Sequence, residues 1–144
     1  MIFGLLALIA AAIFGGVALY VNIVEQPARL SLDDRALLIE WKPAYKRGAA
    51  MQAPLALVGF LLGILAWWQT SHAGFLIGAI LILAPWPWTL IAIKPTNDTL
   101  MATDPDQAGP RTRSLIVKWG ALHGARTVLG ALATAAFLWA CMPS

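Results

Sequence analysis

His123 and Arg126 stand three residues apart in an otherwise apolar run, and they share a helical face with Trp119, Thr127 and Gly130. The spacing is i, i+4, i+7, i+8 and i+11, which one side of an α-helix presents together. An imidazole ordinarily titrates at about pH 6.5, so His123 suits proton abstraction near neutrality. A guanidinium beside it would stabilise an oxygen that gains negative charge during a reaction. The blander readings are a structural histidine hydrogen-bonded to polar neighbours and an arginine that snorkels back to water.

Other polar groups reach the same level. Tyr20, Asn22, Glu25 and Gln26 close the first apolar run, with Asn22 three residues from Glu25 and four from Gln26. Shared depth and opposite charge predict a Glu25–Arg126 ion pair. The second run contributes Tyr45, Arg47 and Gln52, and the third Trp88, Thr89, Lys94 and Asn97. His123 is the only histidine at this end, since His72 lies about a membrane thickness away. No Glu-x-x-His pair occurs, as a di-iron bundle would need, and one histidine with Glu25 is a thin set for zinc. No metal and no cofactor are expected. Cys141 is the single cysteine and reads as a packing residue.

The elements that must position these groups are membrane helices. Apolar residues make up 60% of the 144 and charged residues 12%, against roughly 45–50% and 25% in soluble domains. Met1–Val24 and Gly48–Ile93 contain no Asp, Glu, Lys or Arg, and about 20 apolar residues suffice for one crossing. The expected fold is an all-α membrane protein, a single domain over 1–144. It is a four-transmembrane-helix up-down bundle with helices about 2–24, 45–68, 75–93 and 111–140, and Gln69–Gly74 is the turn between the middle pair. Pro27 should end helix one. Ser31–Asp34 resembles a capping box. It should open a short interfacial helix between helices one and two, with Leu32, Leu37, Leu38 and Trp41 as its apolar side and Pro43 as its end. Pro85 and Pro87 predict a kink, and Trp86 between them is a cavity-lining candidate. Pro95–Asp98 should end helix three, and Pro110 suits the first turn of helix four.

All ten Lys and Arg and all seven Asp and Glu fall on one side of this threading, opposite Met1, Gln69–Gly74 and Ser144. The positive-inside rule places that rim in the cytoplasm and both termini outside, with the chain integral to the cell (inner) membrane. The net charge of +3 thus reads as topology, with the lipid bilayer as partner and no nucleic acid. Trp67, Trp68 and Trp139 near one interface, and Trp41, Trp88 and Trp119 near the other, follow the aromatic-belt pattern. Gly59-x3-Gly63 and Gly120-x3-Gly124 would let helices approach closely, within the bundle or in a homo-oligomer.

Four segments carry a family resemblance. They are Ala18-Leu-Tyr-Val-Asn-Ile-Val-Glu-Gln-Pro-Ala-Arg29, Trp41-Lys-Pro-Ala-Tyr-Lys-Arg47, Pro87-Trp-Thr-Leu-Ile-Ala-Ile-Lys-Pro-Thr-Asn97 and Lys118-Trp-Gly-Ala-Leu-His-Gly-Ala-Arg-Thr127. Together they resemble the anthrone-oxygenase-like family of small four-helix membrane proteins. The Pro-Thr-Asn segment and the Trp-x3-His-x2-Arg-Thr face are the most specific parts. The resemblance implies oxidation of anthrones to anthraquinones by O₂ without added metal or flavin. In that chemistry His123 would be the base, and Arg126 or Lys94 would stabilise the oxyanion. Trp86, Trp88, Trp119 and Tyr45 would stack on a flat aromatic or quinone-like substrate. A binding protein for a small amphiphile and a non-enzymatic assembly protein are the alternatives from other classes.

Overall fold

In lipid a backbone polar group has no water to turn to, so a crossing segment must satisfy its own hydrogen bonds as helix. The computed structural model describes residues 1–143; Ser144, expected at the outer end, lies outside them. Four helices in it are long and apolar enough to span a membrane: α1 (Ile2–Arg29), α2 (Asp34–Thr70), α3 (Ala73–Ala102) and α4 (Pro110–Cys141). No strand occurs among the described residues. In the apolar window of each helix only 28–33% of residues are buried inside the bundle. Most of the outward surface is aliphatic and needs a lipid solvent, so this is an integral membrane protein. Helix α1 packs on α4 and α2, and α3 packs on α2 and α4, closing the four-helix bundle.

Several helix ends differ from expectation, and proline explains each. Pro27 does not end α1, and Pro95-Thr-Asn97 does not end α3. Both helices run on, to Arg29 and Ala102. A proline ring normally clashes with the carbonyl four residues back. Here those carbonyls belong to Ile23 and Ile91, and each lies in a π-helical turn, Val21–Glu25 and Thr89–Ile93. The wider turn accommodates the ring and the helix continues. Around Pro85 and Pro87 the regular helix does lapse, at Ala84.

The separate interfacial helix is also absent. Residues Asp34–Thr70 form one helix through both Pro43 and Pro54, capped by Asp33, not Ser31, whose carboxylate accepts from Ala36 N at 2.9 Å. At 37 residues it is about 55 Å long, well beyond a hydrocarbon core of about 30 Å. The excess is not lying on lipid: Leu37, Leu38 and Trp41 are fully buried against Ile93, Leu100, Ile116 and Trp119. Burial of that apolar face against α3 and α4 outweighs what an interfacial position would gain. The bundle thus has a membrane core around Phe14, Phe75, Ile82 and Phe137, and a second core at the charged rim.

Lys42 holds the rim together by donating to the carbonyls of Met101 (3.2 Å) and Thr103 (2.5 Å) at the end of α3. Arg113 does likewise, with the Leu30 carbonyl at 2.9 Å and the Asp34 carboxylate at 2.5 Å. At the other end the turn runs through Ser71, at φ 57°, and His72 caps α3 by accepting from Gly74 N at 3.1 Å. Small residues set the helix spacings. Gly59 packs on Ile82 and Ala10, and Gly63 on Phe137 and Ala79, so that pattern serves the bundle itself. A Cβ on Gly130 would sit 2.8 Å from Gly15 Cα, backbone against backbone. Gly130→Ala should therefore separate α1 from α4 and cost about 1–3 kcal/mol. Gly124→Ala, with nothing within 4 Å of the added carbon, should leave the thermal midpoint in detergent unchanged or higher.

Candidate functional site

Between the two cores lies a cavity of about 350 Å³. All four helices supply its wall, to which the two π turns contribute Glu25 and Thr89 as polar groups. The α1 turn bears Asn22 and Glu25; the α3 turn bears Thr89.

His123 is 4% exposed, and its Nδ1 lies 2.8 Å from Asn22 Oδ1. The direction of this bond follows from its neighbours. Asn22 Nδ2 donates to the Gly120 carbonyl at 2.8 Å, and Thr127 donates its hydroxyl to Asn22 Oδ1 at 2.7 Å. The amide oxygen therefore faces His123 as an acceptor, and Nδ1 carries the hydrogen. Nε2 has no partner among the described residues and is the nitrogen left to the cavity. Asn22 and Thr127 themselves stand behind the imidazole, outside the cavity wall.

Arg126 lies one turn deeper and also lines the cavity. Its Nη2 donates to Gln52 Oε1 at 2.5 Å and its Nη1 to Thr89 Oγ1 at 3.1 Å, with the guanidinium 5.5 Å from the Phe14 ring centre. All of these partners are neutral. The expected Glu25–Arg126 ion pair is not formed. Glu25 is bound by Arg29, one turn away on α1, which also pairs with Glu40 at 3.0 Å. That geometry satisfies Glu25 locally. Arg126 is left with no carboxylate in ion-pair range among the described residues.

The remaining wall is aromatic and polar. Tyr45 lines it, stacked on Trp41 at 4.9 Å with the rings 4° apart. Trp119 lines it too, 5.0 Å from the His123 ring and edge-on to Trp41 at 5.7 Å. Trp41 supports both rings from behind. Tyr20 and Arg47, both exposed, form part of the mouth with Met51, and Asn97 closes the rim end. Gln26 is elsewhere, donating to the Ile116 carbonyl at 2.8 Å and packed on Gly120. Trp86 lines a smaller side cavity of about 200 Å³, and donates to the Ala53 carbonyl at 3.2 Å. The two cavities share Tyr45, Gln52, Thr89 and Arg126 as walls. Trp88 and Lys94 reach neither: Trp88 donates to the Leu122 carbonyl at 2.9 Å, and Lys94 is ion-paired with Asp98 at 2.5 Å in solvent. Among the described residues no three His, Cys, Asp or Glu side chains converge as a metal site.

One charged wall residue, Arg29, was not among the sequence candidates, and Thr89 was named only as one of several rim groups. Arg29 was passed over because it follows Pro27, where helix one was expected to have ended. Its i+4 spacing from Glu25 was the available signal.

Comparison with known proteins bears on what such a cavity does. The model of the anthrone oxygenase family matches residues 41–136, well over half of the chain. The chain belongs to the anthrone oxygenase family. Tyr45, Gln52, Thr89, Asn97, Trp119, His123 and Arg126 all fall within the matched segment, whereas Asn22, Glu25 and Arg29 precede it. No curated protein and no solved structure matches the chain.

The rim ion pairs differ in worth. The Arg29 side chain is 2% exposed, and removing it strands two carboxylates. Arg29→Leu should cost about 3–5 kcal/mol, read as a large drop in thermal midpoint in detergent. Arg35 and Asp106 pair at 2.8 Å with side chains 62% and 77% exposed, so Arg35→Ala should leave the midpoint where it is.

Proposed function

We propose that this membrane protein is an oxygenase that acts without a bound cofactor on a flat, lipid-soluble aromatic or quinone-like compound with an acidic C–H. One observation carries the proposal: the Asn22-held His123 offers Nε2 to a cavity that also contains Arg126, a cation with no carboxylate partner among the described residues. Family membership agrees with it.

The chemistry follows from these two groups. His123 Nε2 takes a proton from the activated CH₂, and the electron pair moves into the ring carbonyl as an enolate. Arg126 stabilises the enolate oxygen, acting in a low-dielectric setting where such a charge counts for more. The enolate is itself the reductant. One electron passes to O₂, and the resulting radical pair combines into a C–O bond; the peroxide anion so formed takes the proton back from the His123 imidazolium, giving a hydroperoxide at the same carbon. His123 Nε2 then takes the remaining C–H proton while the C=O bond forms, the O–O bond breaks and hydroxide departs, which yields the ketone. The imidazolium returns its proton to the hydroxide as water. The sum is R₂CH₂ + O₂ → R₂C=O + H₂O. Tyr45 and Trp119 provide stacking surfaces for the rings. The approach is from the bilayer, because Tyr20 and Met51 at the mouth are 55% and 47% exposed on the helix surfaces. On this reading the rim faces the cytoplasm and both termini face outward across the inner membrane, an orientation that the one-sided Lys and Arg support.

His123→Ala should abolish O₂ uptake with an anthrone above its spontaneous rate while the bundle stays folded. Asn22→Leu should lower kcat by about 10²-fold or more with KM little changed, because the base loses its orientation and not its substrate. Turnover unaffected in His123→Ala would eliminate the base assignment. A reporter joined to the C-terminus should be active outside the cytoplasm; activity inside would invert the topology.

A further inference from the structure

The side cavity of about 200 Å³ has no part in the chemistry above. Five residues line it and not the main cavity: Phe14, Ala53, Pro85, Trp86 and Leu90. All five are apolar or aromatic. Arg126, Gln52 and Thr89 line both cavities, and Arg126 donates to the other two. These polar groups are thus already bonded to one another and leave little to hold water. The two cavities meet lipid at different places. The main one opens beside Tyr20 of α1 and Met51 of α2. The side one opens between α2 and α3, where Trp86 and Leu90 are 40% and 60% exposed. Its space is held by local structure. Ala53 offers only a methyl group, and the regular helix of α3 lapses at Ala84. The Trp86 indole is pinned across the crevice by its bond to the Ala53 carbonyl.

Size and polarity decide what fits. Pockets for drug-sized ligands measure about 300–1,000 Å³. The main cavity, at about 350 Å³, is within that range and suits the ring compound. The side cavity is below it. An apolar cavity of about 150 Å³ in another protein stays dry and takes small apolar guests such as xenon. The proposed reaction has one small apolar reactant. O₂ carries no charge or dipole, so water excludes it in favour of hydrocarbon. We propose that the side cavity is the dioxygen site, filled from the bilayer through the crevice between α2 and α3. O₂ then has its own entry while the ring compound occupies the main cavity. When an electron passes from the enolate, the O₂ becomes an anion beside Arg126, the one cation that lines both cavities. The inference rests on the proposed oxygenase function for the identity of the gas, and it adds where that gas binds.

The test changes residues that do not line the main cavity. Ala53→Leu places a larger side chain inside the side cavity. Leu90→Trp covers its mouth from a position that is 60% exposed, where folding has little to lose. O₂ uptake with an anthrone is followed in detergent over a range of O₂ concentrations. In Ala53→Leu the KM for O₂ should rise about fivefold or more, with the KM for the anthrone within about twofold, because only the gas loses its place. A second readout needs no turnover. Wild-type crystals pressurised with xenon should hold the atom between Ala53 and Leu90, and Ala53→Leu crystals should not. If Ala53→Leu does not fold, Leu90→Trp carries both readouts. An unmoved KM for O₂ in the folded variants would overturn the dioxygen site and leave the oxygenase standing. So would a side cavity without xenon, or one filled by a detergent or lipid chain. Xenon in place with no O₂ uptake on anthrones would remove the oxygenase reading and leave a site for a small apolar molecule.

Discussion

Hydrocarbon offers no partner to a backbone N–H or C=O, and the rest of this structure follows from that constraint. A helix cannot simply stop at a proline inside or at the edge of the bilayer, because the freed carbonyls would have nowhere to turn. The chain instead widens the turn before Pro27 and before Pro95. Those two turns belong to the diagonally placed helices α1 and α3, and both contribute to the cavity wall. They bring Asn22, Glu25 and Thr89 to bear on His123, Arg29 and Arg126. The local remedy for a missing hydrogen bond is thereby also the framework of the site.

Charge is arranged with the same economy. The exposed ions pair with each other in solvent, as Lys94 does with Asp98. The buried Arg29 carries two carboxylates, whereas Arg126 carries none and is held by an amide, a hydroxyl and an aromatic face. An arginine this deep is retained where it has a use. The cavity is placed to supply one, between an aliphatic core in the membrane and an aromatic core at the rim.

Much of this was readable from residue order. The four crossings, the gathering of polar groups at one end, and the shared face of Trp119, His123 and Arg126 follow from hydropathy and helical period alone. What could not be read was what proline does inside a lipid-soluble helix. Pro27, Pro43 and Pro95 look like ends by the rules for water-exposed helices, and each is interior here. That error hid Arg29 and made Leu37, Leu38 and Trp41 look like a surface-lying stripe. It also invited Glu25 to pair with Arg126. Depth and charge were right for that pair, but the choice between two arginines depends on rotation about the helix axis, which a π turn alters. Trp88 and Lys94 sit at the expected depth but on the wrong side of α3, for the same reason.

A π turn holds about one residue more than the α turn it replaces. Each of the two turns therefore acts as a one-residue insertion whose removal would rotate everything beyond it by about 100°. Deleting Ile23, which is not part of the wall, would swing Tyr20 and Val17 off the cavity relative to Arg29, with every side chain of the wall still present in the chain. The site is thus encoded partly in residue count. In this chain, the spacing between these prolines and the polar residues before them constrains the cavity as firmly as the residues themselves do.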